Sequence, residues 1–194
     1  MRAFAAVGLA FATLAGCGAP PSVATPTGPA ASTAARSLNP AAYVIETMKP
    51  SFSLNLPEGF TLQQLAADQF LISRGPDASG SGLGIVRLAA GGLIERLERA
   101  PEFAQKARVE IRLGDMLGHS IAMDAAPGQA QPPLLLESAE LHTRFTLPLG
   151  ARVRVIEFTV GASAVAAYYY APAAEFGTYE PFIQGVLTSL AFRA

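Results

Sequence analysis

The stretch Arg152-Val-Arg-Val-Ile-Glu-Phe-Thr-Val160, Gly161-Ala-Ser163, Ala164-Val-Ala-Ala-Tyr-Tyr-Tyr170 decides how this chain is read. Two β-branched and aromatic runs are separated by three small residues, the signature of adjacent antiparallel strands. Upstream, Glu137–Leu147 reads as a third strand joined through Pro148-Leu149-Gly150, so 137–170 is expected to form an antiparallel meander. Earlier, Phe52, Leu54 and Leu56 alternate with polar residues before Pro57-Glu58-Gly59 turns the chain. Gln69–Arg74 and Leu83–Leu88 read as strands around the turn Gly75–Gly82. Val109, Ile111 and Leu113 alternate with Arg108, Glu110 and Arg112, the pattern of a half-buried strand. Met116–Met123 is its expected hairpin partner across Gly114-Asp115.

Two segments carry helical spacing instead. Leu93, Ile94 and Leu97 share one face, with Glu95 and Arg99 spaced as an ion pair. Pro101 interrupts or restarts this helix, which is expected to run to about Lys106. Near the end, Tyr179, Phe182, Ile183, Val186, Leu187 and Leu190 form an apolar stripe, with Thr178 as N-cap and Pro181 in the first turn. An α+β domain follows: an antiparallel sheet with packed helices, including an amphipathic C-terminal one.

The chain has 194 residues, 51% hydrophobic and 15% charged, with 14 basic against 15 acidic side chains. That balance offers no electrostatic footprint for nucleic acid. One cysteine excludes an internal disulfide and a multi-thiolate metal site. Part of the apolar excess lies at the front. After Met1-Arg2, residues Ala3–Ala15 are uncharged and largely apolar. As a helix they would rise only ~20 Å, short of the ~30 Å hydrocarbon core, which fits a secretory signal better than a permanent span.

Leu14-Ala15-Gly16-Cys17 resembles the lipobox of bacterial lipoproteins. The resemblance implies a signal peptide over 1–16, acylation of Cys17 and anchoring in a bilayer through lipid. Gly18 is not the aspartate associated with inner-membrane retention, so the outer membrane, facing the periplasm, is favoured in a two-membrane bacterium. From 17 to 42 the chain is Pro-, Ala-, Ser- and Thr-rich, with Arg36 as its one charge after the cysteine. This reads as a disordered tether, leaving 43–194 as a single domain.

Phe52-Ser-Leu-Asn-Leu-Pro-Glu-Gly-Phe60 is similar to the opening of PsbP-like and DcrB-like domains. Their close is similar as well: Val165–Tyr170 as a strand, Phe176–Leu190 as a helix, then Ser189-Leu-Ala-Phe192. The resemblance implies a membrane-tethered accessory module without catalytic activity. It transfers no binding residue and no cofactor.

Chemistry-bearing side chains are few. His119 and His142 could join Asp115, Asp124 or Glu140 in a two-histidine, one-carboxylate metal site, although no compact ligand spacing supports it. Adjacent His119 and Ser120 would point to opposite faces of a strand. Ser81 lacks the strand–turn–helix setting of a nucleophile elbow. Gly80-Ser-Gly-Leu-Gly84 lacks the spacing and lysine of a phosphate loop, so a turn is expected. Tyr168, Tyr169 and Tyr170 alternate faces, and serve either as packing or as an aromatic contact surface for a partner. The expected function is a lipid-anchored interaction module with an envelope protein partner. The alternatives are a periplasmic hydrolase or metal-dependent enzyme using His119 or His142, and a small-ligand-binding lipoprotein.

Overall fold

A computed structural model describes residues 41–193 apart from 75–79, 130 and 141. The signal, Cys17 and nearly all of the tether lie outside the described residues. The exceptions are Ala41 and Ala42, which open the first strand, β1 (Ala41–Ile45). It pairs with β2 (Ser51–Leu56), and β2 pairs on its other side with β12 (Ala191–Arg193). This small antiparallel sheet takes two strands from the front of the domain and one from its end.

Seven strands build the main sheet: β3 (Phe60–Ala66), β4 (Gln69–Arg74), β5 (Gly82–Arg87), β6 (Phe103–Leu113), β7 (Met116–Ala125), β10 (Ala151–Val160) and β11 (Ser163–Pro172). Their order is β3-β4-β5-β11-β10-β7-β6, and every pairing is antiparallel. The expected hairpins are present. Gly114, at φ 57°, turns β6 into β7, and Gly161, at φ 59°, turns β10 into β11.

Strand β10 differs from the expected meander. Its second neighbour is β7, with Val155 opposite Ile121. The 137–147 segment is not one strand. It divides between β8 (Pro133–Glu137) and β9 (His142–Thr146), a separate two-stranded sheet. Leu134, Leu136 and Leu147 are buried, so the hairpin covers the main sheet instead of extending it.

Helix α1 (Leu93–Arg99) is shorter than expected. Ala100 adopts extended backbone, and Pro101 precedes β6 instead of restarting the helix. Lys106 Nζ reaches back to the Glu98 and Ala100 carbonyls at 2.7 and 2.6 Å, holding the helix end against the new strand. Glu95 does not pair with Arg99; its ion-pair partner is Arg108 on β6. Helix α2 (Phe176–Thr188) begins before Thr178, with Glu175 at the N-cap and no side-chain cap bond. Ile183, Val186 and Leu187 are buried as their spacing requires, whereas Phe182 is 47% exposed.

Both faces of the main sheet are covered. One carries α2 and the small sheet over Ile85, Ile156, Phe158 and Tyr169. The other carries α1 and the β8–β9 hairpin over Val86, Val153, Val155 and Tyr168. Covering both faces explains the apolar runs in β5 and β11, whose residues are buried on either side.

Candidate functional site

A cluster that includes one of the histidines singled out by the sequence forms on the α1 face. Register sets Glu110, His119 and Glu157 abreast on β6, β7 and β10, because residues directly opposed across antiparallel strands share a face. With Gly91, Gly92 and Glu95 they line an open depression of about 300 Å³. His119 and Glu110 are exposed and Glu157 is half-buried.

Two of the three carboxylates already have occupants. Gly92, at φ 84°, turns the chain into α1, and the Gly92 and Ile94 amides donate to the two Glu157 oxygens at 2.7 and 2.9 Å. The acid on β10 thus caps a helix that lacks a capping side chain of its own. Glu95 accepts from Arg108 Nη2 at 3.2 Å. Its carboxyl lies below the ordinary value, first because it accepts a backbone hydrogen bond at its own residue and then through the Arg108 charge, against a desolvation that raises it. The other two ionisable side chains of the depression, His119 and Glu110, are exposed on its open surface.

Topology separates the two histidines. His119 belongs to the main sheet, and His142 lies opposite Glu137 in the β8–β9 sheet. The carboxylates considered with them lie elsewhere. Asp124 accepts two hydrogen bonds from Arg152, Nε to Oδ1 at 2.7 Å and Nη2 to Oδ2 at 2.8 Å, and Arg152 Nη2 also donates to Gln105 Oε1 at 3.3 Å. Glu140 faces Arg87 at 3.6 Å. Among the described residues no group of three or more His, Cys, Asp or Glu is placed to hold a metal. Ser120 is buried beside Ile156 and not in the depression.

The tyrosine triplet alternates faces as expected, yet all three residues are buried, at 1, 1 and 3% exposure. They pack and do not form an exposed contact surface. The cause is the second layer on each face. Tyr168 and Tyr170 lie under the β8–β9 hairpin, with Phe145 at 5.5 and 4.7 Å between ring centroids. Their room comes from Gly84 and Gly82, which stand opposite them on β5. The turn expected over Gly80–Gly84 is instead strand from Gly82 on, and glycines two apart in a strand mark a close approach.

Tyr169 anchors α2. Its ring stacks on Phe176 at 5.1 Å and its hydroxyl donates to Glu180 Oε1 at 2.9 Å. Glu180 also pairs with Arg154, whose guanidinium stands 6.0 Å from the Tyr169 ring centroid. Burial pushes the Tyr169 phenol well above its ordinary pKa, the Arg154 charge opposes this, and donation to Glu180 adds to it. Burial raises the Tyr168 phenol too, against a hydrogen bond with Gln69. The sequence alone did not identify Glu157, Glu180 or Arg154, whose roles exist only once distant elements meet.

No family model matches the sequence, and no curated protein is similar to it in sequence. Among solved structures, the domain is similar to PsbP (CyanoP) of the cyanobacterium Synechocystis sp. PCC 6803, with a TM-score of 0.51 and 7% identity. That likeness covers 79% of this chain and 92% of the cyanobacterial protein. A Bacteroides thetaiotaomicron protein matches with a TM-score of 0.43 and 13% identity over 74% of this chain, which spans 45% of the length of that protein. LpqN of Mycobacterium tuberculosis, described as involved in cell envelope biogenesis, matches with a TM-score of 0.44 and 9% identity over 80% of this chain and 92% of its own.

Proposed function

We propose that this chain is a lipid-anchored, non-enzymatic accessory module of a bacterial cell envelope, which docks on another envelope protein. The observation that carries the reading is Leu14-Ala15-Gly16-Cys17, the chain's one cysteine standing directly after an uncharged apolar run. An acylated cysteine there would anchor the protein by lipid, with two or more chains needed for stable residence. The stretch from Cys17 to Ala41 spans at most ~80 Å when fully extended, enough to hold a domain clear of the headgroups. Among the described residues no helix is long and apolar enough to cross a membrane. A PsbP-like fold is compatible with an accessory module, and the His119–Glu110 pair offers a polar surface for contact. Gly18 favours outer-membrane sorting where there are two membranes.

The test is labelling of the wild-type chain and Cys17→Ser with a fatty-acid analogue, followed by membrane fractionation. The wild type is expected to carry label and sediment with membranes, and Cys17→Ser to lose label and accumulate as precursor. Equal labelling and fractionation of both chains would refute lipid anchoring. A pull-down at native expression from detergent-solubilised envelopes then tests the partner, and recovery of the chain alone counts against docking.

A further inference from the structure

Strand β6 ends the main sheet, and among the described residues nothing pairs with its outer edge. The opposite edge, β3, is shorter and irregular, with a register shift between Gln64 and Ala66, and its Gln64 amide bonds to Thr47. Strand β6 is longer, and beyond its own register shift between Ala104 and Ala107 the residues Ala107, Arg108, Val109 and Glu110 are exposed in succession, Val109 at 50%. Unpaired strand edges present rows of amide and carbonyl groups that bind another strand.

The side chains select the partner. Arg108 and Glu110 lie on the α1 face, and Ala107, Val109 and Ile111 on the other. A two-fold axis through Val109, perpendicular to the sheet, sets Arg108 opposite Glu110 of the second copy, and Glu110 opposite Arg108. On the other face Val109 meets Val109, and Ala107 meets Ile111. Moving the axis by one residue opposes Arg108 to Arg108 or Glu110 to Glu110, and like charges directly opposed disfavour pairing. Glu110 has no side-chain partner within its own chain among the described residues, whereas Arg108 already meets Glu95 at 3.2 Å and Glu98 at 3.1 Å, so the interface would add Glu110 of the second copy to that charged cluster. The cations at the two ends of the paired stretch have other attachments: Lys106 holds the Glu98 and Ala100 carbonyls, and Arg112 Nε donates to the Gly114 carbonyl at 3.2 Å. The bulge between Ala104 and Ala107, with Gln105 at φ 51°, ends the pairing on one side.

We propose that β6 pairs antiparallel with β6 of a second copy over Ala107–Ile111, joining two main sheets into one continuous sheet across a two-fold axis at Val109. The test uses the full chain in a detergent of matched density, with mass read by sedimentation equilibrium. The wild type is expected at twice the monomer mass. Glu110→Arg and Arg108→Glu are each expected to weaken self-association by roughly tenfold or more, since each opposes like charges at two positions. An equimolar mixture of the two variants is expected to recover the dimer. One copy then carries two cations on the α1 face of the paired stretch and the other carries two carboxylates, so every opposed pair is of unlike charge. Val109→Lys, which brings two ammonium groups together at the axis, is expected to be monomeric with or without a partner variant. A monomeric wild type, a dimer indifferent to Glu110→Arg, or a mixture that stays monomeric while both variants keep their circular dichroism would overturn the proposal.

Discussion

The ring of Tyr168 occupies the space where Gly84 would carry a side chain: a β-carbon built on Gly84 would stand 2.1 Å from Tyr168 Cζ. The two residues face each other across β5 and β11, and Gly82 and Tyr170 repeat the arrangement, with 2.9 Å to the hydroxyl. The glycines thus decide how deeply the aromatic pair can sink beneath the β8–β9 hairpin.

Gly84→Ala is therefore expected to destabilise the domain towards the upper end of the about 1–3 kcal/mol typical of overpacking a filled interior. Truncating the ring in the same chain, as Gly84→Ala with Tyr168→Ala, should cost clearly less than the two single changes added together. Urea denaturation of the four chains measures the coupling. Strict additivity would mean that the ring does not rest on the glycine.

Glu157→Ala removes the acceptor for two amides at the start of α1 and is expected to cost about 1–2 kcal/mol. The effect should be local first. Hydrogen exchange at Gly92 and Ile94 would accelerate by more than exchange in β10 itself. Uniform acceleration across the domain would show that the carboxylate does more than cap this helix.

Alkaline pH should weaken the fold through its phenols. Tyr168 and Tyr169 hold their protons in the folded state above the ordinary tyrosine value, principally because they are buried. Above pH ~10 the unfolded chain releases protons that the folded chain retains, so stability falls as pH rises. Below that pH the contribution is fully present. Tyr169→Phe should flatten part of the alkaline decline, measured as unfolding free energy against pH, while a decline of unchanged steepness would exclude Tyr169 as a source.

Glu180→Ala strips Tyr169 of its acceptor and leaves Arg154 without its carboxylate. A loss of about 1.5–3 kcal/mol is expected, as for hydrogen bonds that involve a charged group. Exchange in α2 should quicken while α1 keeps its protection, which separates this clasp from the one at Glu157.

The parts of this architecture that were legible are those where one strand face is wet and a turn residue adjoins. Arg108–Leu113 alternates, Gly114 follows, and the hairpin forms across it. Gln69–Arg74 is a strand with the bounds expected. The β3 segment escaped notice because its alternation, Phe60 and Leu62 against Thr61 and Gln63, lasts four residues and breaks at Gln64-Leu65, where the register shifts. The division of 137–147 depends on which surface Leu134, Leu136 and Leu147 cover, which no local pattern states. The alternation of Tyr168, Tyr169 and Tyr170 was correct, but their burial required knowing that both faces carry a second layer. His119 was found by residue type alone. The Glu157 carboxylate beside it became meaningful only when β10 came to lie under α1.

The small sheet has a kinetic consequence. Strand β2 is completed by Ala191–Arg193, and Ser51 Oγ reaches the Arg193 carbonyl across 142 positions of sequence. Pairing at such separation costs loop-closure entropy before any contact compensates for it, and it slows folding. A chain still emerging from a ribosome therefore cannot seal this layer early: Phe52, edge-on to Phe70 at 5.4 Å, would lack Phe192, its second ring neighbour at 5.6 Å, until the last strand arrived.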